Sequence, residues 1–189
     1  MRPAEQPVDV RVRAGTPAPG RVRALAAVLL AWFAMLGVDF FVHAGLLARF
    51  YVVPQPGVLP PADALRLIPL GYLSFLMWAV VVGLLVVRFR ASGARRGFLL
   101  GLGGGLLVQG ATALGSASIT TVPPRLLAAW AAAQAIQLAA GGLVCGSALA
   151  GAPLGRLALK VLAFVIALFV ITVVPQNTGF APAIRMSAP

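Results

Sequence analysis

With 189 residues, 60% of them hydrophobic and only 10% charged, the chain has too little polar material to clothe a water-soluble globule, where about 25% of residues are charged. Fifteen Arg and Lys against four Asp and Glu give a formal net charge of +11. The cations sit between apolar runs rather than along one face, so anionic lipid head groups are the expected partner and nucleic acid is not.

Residues 1–23 hold Pro3, Pro7, Pro17, Pro19, Gly15, Gly20 and five Arg without apolar periodicity, and read as a disordered basic cytoplasmic arm. The basic region is long for a signal peptide, and no small-x-small cleavage site follows the apolar run, which favours an uncleaved first span. A mean hydropathy of +0.97 and five apolar runs, at about 24–47, 67–87, 98–118, 126–149 and 157–174, predict an all-α, polytopic transmembrane bundle over 24–175. Each run can cross a ~30 Å hydrocarbon core at about 1.5 Å per residue, and backbone groups in lipid select helix over open sheet.

The first connection, Arg49 to Arg66, carries Pro54, Pro56, Pro60 and Pro61 and reads as a stiff linker ending in a short interfacial helix from near Asp63. The other connections, Arg88 to Gly97, Ile119 to Arg125 and Gly151 to Arg156, are tight and predict that sequential helices are antiparallel neighbours. Alternate sides of the membrane then collect very different charge. One holds Arg2, Arg11, Arg13, Arg21, Arg23, Arg88, Arg90, Arg95, Arg96, Arg156 and Lys160; the other holds Arg49, Arg66, Arg125 and Arg185. The positive-inside rule makes the amino terminus cytoplasmic and residues 176–189 a short extracytoplasmic tail, which fits a multi-pass protein of a bacterial cytoplasmic (inner) membrane.

An ionisable residue inside a span costs a few kcal/mol, so Asp39 needs an explanation, and His43 follows one helical turn later on the same face. Depth along the helices puts Asp39 about 12 Å below the outer end of its span. Gln109 and Thr112 on the third span and Gln134 and Gln137 on the fourth fall in a similar outer-half band, with Tyr72 and Ser74 on the second nearer the surface. Polar groups in lipid seek one another in the bundle interior, so Asp39, His43, Tyr72, Gln109, Gln134 and Gln137 are candidates for one ligand or proton site. The bland reading is that Asp39 only bonds to polar groups on neighbouring helices and His43 only meets the interface near Arg49.

Gly97, Gly101 and Gly105 recur at four-residue spacing and leave one face of the third span almost bare; such faces let helices approach closely. No strand precedes them, so a dinucleotide fold is not indicated. Gly142 and Gly146 on the fourth span offer a matching surface, with homodimerisation through either face as the alternative.

No nucleophile set, P-loop, zincin helix or glycosidase pair of carboxylates is present, so the chain does not read as an enzyme. Cys145 is the only cysteine and His43 the only histidine, so no disulfide, Cys/His zinc site or bis-His haem can form in one chain, and neither metal nor cofactor is expected. Trp32, Trp78 and Trp130 read as interface belts and helix packing.

The run Val38-Asp39-Phe40-Phe41-Val42-His43-Ala44-Gly45-Leu46-Leu47, then Tyr51, then Gly71-Tyr72 opening the next span, resembles small uncharacterised bacterial integral membrane proteins of four or more spans. In these the first helix ends in an Asp-Phe-x-x-His-like motif. The resemblance covers about 24–149 and implies no known activity. Where such relatives tend to have an acidic residue on the fourth helix, this chain has Gln137, which argues against a two-carboxylate or metal site. Two functions remain: binding or permeation of a small solute, ion or proton through the polar cluster, where a pore would need a homo-oligomer, or a structural or accessory subunit of a larger membrane complex, docked through the Gly faces.

Overall fold

The computed structural model describes residues 20–179. The expectations for the basic arm before Gly20, with Arg2, Arg11 and Arg13, and for the tail from position 180 on, with Arg185, lie outside the described residues. Within them the chain is all-helical: α1 Arg21–Phe40, a π-helical turn Phe41–Leu46, α2 Ala48–Val52, α3 Pro61–Arg66, α4 Ile68–Arg88, α5 Ala94–Ile119, α6 Pro124–Leu149 and α7 Leu154–Asn177. Among the described residues five stretches are long and apolar enough to cross a bilayer, Arg21–Leu46 and the helices α4, α5, α6 and α7.

Helix ends depart from the apolar runs where polar groups have work to do. The helix α1 starts at Arg21 rather than after the arginines, because Arg23 Nη1 donates to the carbonyls of Ala148 at 2.7 Å and Ala152 at 3.0 Å. These acceptors belong to the end of α6 and the turn after it, where carbonyls lack helical partners. The helix α3 starts at Pro61, two residues before Asp63, since proline is pre-set for the first helical turn. At the far end α7 runs on through Pro175 to Asn177.

The packing order bears out the expectation of sequential neighbours for α5 and α6, and for the first two spans α1 and α4, but corrects it for α4–α5 and α6–α7. The helix α6 is the centre: it packs most extensively on α5, then on α1, and also on α4, whereas α7 leans on α1 and meets α6 only slightly, and α4 and α5 barely touch. Half of the most apolar stretch of α6 is buried inside the bundle, against 17% in α5 and in α7. Small side chains explain this choice. Ala27, Ala31 and Ala34 of α1, Ala79 of α4 and Cys145 and Ala148 of α6 are buried together with Met35, Val82, Val86 and Val144, and in lipid such close packing, not a hydrophobic drive, holds helices together.

The α5–α6 contact is backbone on backbone. A Cβ on Gly97 or Gly101 would overlap the carbonyl oxygen of Gly142 or Leu138, and one on Gly105 would lie 2.8 Å from the Ala135 Cα. From the other side, a Cβ on Gly142 would overlap the Gly97 carbonyl and one on Gly146 would lie 3.0 Å from the Gly97 Cα. The Gly93 amide also donates to the Gly146 carbonyl at 2.8 Å. Both glycine faces are therefore spent on each other within one chain and are not free surfaces for a second copy.

Candidate functional site

The helix α1 carries Asp39 in its last turn, and a change of helical pitch just beyond it shapes the surroundings of His43. From Phe41 the coil widens into a π turn, closed by a 2.7 Å bond from the Leu47 amide to the Val42 carbonyl. Widened turns of this kind leave main-chain groups out of register and often mark functional positions. Here the Gln176 side-chain amide of α7 donates to the Ala44 carbonyl, and Thr172 closes over Gly45. The chain then bends at Leu47 into α2, which brings Tyr51 back onto His43.

A connected row of side chains results. The Trp130 Nε1 of α6 donates to the Tyr51 hydroxyl at 2.7 Å, Tyr51 lies 2.7 Å from His43 Nδ1, His43 Nε2 lies 3.4 Å from Asp39 Oδ1, and Gln137 Nε2 donates to the same Oδ1 at 3.0 Å. Gln137 is fully buried, while the Asp39 and His43 side chains keep 22% and 28% of their surface. From Trp130 to Gln137 the row runs seven residues along α6, about 10 Å at 1.5 Å per residue, from near the Pro124 end to the helix midpoint.

Donor arithmetic orders this row. An indole N–H only donates, so one Tyr51 lone pair is taken, and the single Tyr51 proton is available to His43 Nδ1. Burial pushes the Tyr51 phenol up, against the Trp130 hydrogen bond, which lowers it, and the Asp39 charge raises it further. Tyr51 therefore keeps its proton and donates it to Nδ1, which fixes the neutral ring with N–H on Nε2, the ring nitrogen that lies 3.4 Å from Asp39 Oδ1. If a proton is added to Nδ1, the same contact reverses, Nδ1–H donating to the second Tyr51 lone pair, and no heavy atom has to move. If it is added instead to Asp39, a flip of the Gln137 amide turns an acceptor toward the new O–H.

Acceptors are in excess. Among the described residues the buried Gln134 and Gln137 Oε1 atoms have no hydrogen-bond partner, and Asp39 Oδ2 makes no hydrogen bond. Buried polar atoms are rarely left unpaired, and each such case calls for an explanation. No group of three His, Cys, Asp or Glu that could hold a metal occurs among the described residues.

No protein-family model, curated protein or solved structure matches the chain. The site therefore rests on its own geometry.

Of the six residues singled out in the sequence, Asp39, His43 and Gln137 are brought together around the Asp39 carboxylate, and Gln134 lies one turn before Gln137 on α6. Tyr72 and Gln109 are not brought to them. The Tyr72 carbonyl accepts the Trp32 indole at 2.9 Å while its ring is exposed. Gln109 continues the Gly97–Gly101–Gly105 row on α5, and α6 stands between α5 and α1. Thr112 turns back to the Val108 carbonyl, and Ser74 is exposed. The residues sequence reasoning missed are Tyr51, assigned to a linker, and Trp130, assigned to an aromatic belt. One signal pointed to Trp130: it shares a helical face with Gln134 and Gln137 at offsets of four and seven.

Proposed function

We propose that the chain is a multi-pass protein of a bacterial cytoplasmic membrane that binds a proton, or a small cationic hydrogen-bond donor, at an outer-half site centred on Asp39. Its amino terminus faces the cytoplasm in this reading, a view supported by the arginine-rich end formed by Arg21, Arg88, Arg95, Arg96 and Arg156. The observation that carries the binding role is the row Trp130–Tyr51–His43–Asp39–Gln137, which can take up a proton at His43 Nδ1 without moving and ends on a Gln137 amide oxygen that no donor among the described residues reaches. An acceptor-rich site selects ligands that bring hydrogen and positive charge.

Binding is favoured over permeation. Beyond Gln137 toward the arginine-rich end, α1 and α6 meet through Ala27, Ala31, Met35, Val144 and Ala148, and Cys145, bonded to the Ala27 carbonyl at 3.7 Å, is the polar exception. A solute reaching Asp39 from the Trp130 side meets an apolar wall.

The test uses Trp130 as its own reporter. With Trp32 and Trp78 replaced by phenylalanine, Trp130 emission is expected to change with pH as the Asp39–His43 pair takes up a proton, since the row links that pair to the indole through Tyr51. The transition should vanish in Asp39→Asn and in His43→Gln. An unchanged transition in both variants would rule the site out.

A further inference from the structure

At the opposite end of the bundle, α6 and α7 part and leave an apolar groove of ≈ 560 Å³. Its walls include Ala140 and Val144 of α6 and Leu157, Val161 and Phe164 of α7, and Arg156 and Lys160 stand at its mouth. The gap follows from the packing order: α7 is held by α1, so it cannot also close on α6. Grooves of about 300–1,000 Å³ accommodate a drug-sized apolar ligand, and an unfilled one forfeits van der Waals contacts along both walls.

The mouth specifies charge. Arg156 and Lys160 lie one turn apart on α7, both exposed, and like charges at this spacing repel. Among the described residues neither has an acidic partner: the acidic side chains there are Asp39, paired with His43, and Asp63, on α3 at the other end. Arg23, the nearby cation of α1, is already committed to the Ala148 and Ala152 carbonyls. Arg156 is the third residue of α7 and Lys160 the seventh, which sets the two charges about 6 Å apart along the helix, from the head-group level to just below it, where a lysine stem snorkels.

We infer that this groove is a binding site for one anionic phospholipid, its phosphate bridged by Arg156 and Lys160 and one acyl chain laid between α6 and α7. The inference is independent of the Asp39 site, and its occupant differs in kind: the groove excludes a proton or small cation by charge and rewards hydrocarbon by shape. A bridging phosphate removes the repulsion between the two cations, and the chain supplies the contacts that α7 does not make with α6.

The test is binding of phosphatidylglycerol and phosphatidylcholine of identical acyl chains to the full-length protein in mild detergent, read by native mass spectrometry. Phosphatidylglycerol should be retained preferentially. The Arg156→Gln/Lys160→Gln variant should bind it roughly thirty-fold less tightly, as expected for two basic residues beside an anionic head group, while Arg49→Gln/Arg66→Gln, the same charge loss at the other end, should leave it unchanged. Ala140→Phe, which fills the groove, should weaken both lipids. The inference fails if the two lipids bind alike, if the two double variants behave alike, or if glycerol phosphate without acyl chains displaces phosphatidylglycerol, which would make the site a soluble-anion site. If Ala140→Phe does not fold, the charge variants still decide.

Discussion

Replacing Gly101 with alanine is expected to cost about 3 kcal/mol or more, the upper end of what overpacking a close contact costs, whereas Gly103→Ala, two residues away, should be neutral or slightly stabilising. The new Cβ at Gly101 meets the Leu138 carbonyl and lies 3.0 Å from the Ala139 Cα. Backbone atoms of a central helix cannot turn aside as a side chain can, so relief requires α5 to lift off α6. Nothing lies within 4 Å of a Cβ at Gly103, and there alanine gains the helix propensity that glycine lacks, on the order of 1 kcal/mol in water. Unfolding by graded addition of denaturing detergent checks both. Equal stability of the two variants would contradict a backbone-on-backbone contact between α5 and α6.

A second large effect is expected at Gln137. In Gln137→Leu the partly buried Asp39 oxygen loses its α6 donor; an unsatisfied buried polar group costs about 1–3 kcal/mol, more when charged, and partial exposure reduces that. In Asp39→Leu the Gln137 amide is stranded instead, both of its ends then lacking a partner. The double variant Asp39→Leu/Gln137→Leu replaces a polar pair by an apolar one and should lose clearly less than the two single losses added together. Contacting residues in one network couple by about 0.5–3 kcal/mol; single losses that add to within about 0.5 kcal/mol would mean that the two side chains do not interact. Asp39→Asn, which keeps a hydrogen-bonding partner for Gln137, should be the mildest change at this position.

The spans were legible in the sequence because each carries its apolar run without interruption and lipid leaves helix as the only way to satisfy the backbone. Asp39 and His43 were legible because charge inside such a run demands a reason. Packing order was not, since hydropathy ranks α6 no higher than its neighbours. What makes α6 the centre is the smallness of residues on two of its faces, Ala135, Ala139 and Gly142 toward α5 and Gly141 and Cys145 toward α1 and α4. Depth arithmetic put Gln109 at the level of Asp39, yet depth says nothing of azimuth, and α6 separates the two. Tyr51 was hidden by the π turn: only a widened coil and then a bend return a residue eight positions on to His43, and no residue type announces it.

Access to Asp39 from one face is the claim on which the binding site depends. In uniformly oriented proteoliposomes that keep Trp130 as the sole tryptophan, acidifying the compartment on the Arg125 side should change Trp130 emission at once, and acidifying the compartment on the Arg156 side should not. A response from the Arg156 side, or an equal response from both, would contradict a site closed off by the apolar contact of α1 and α6.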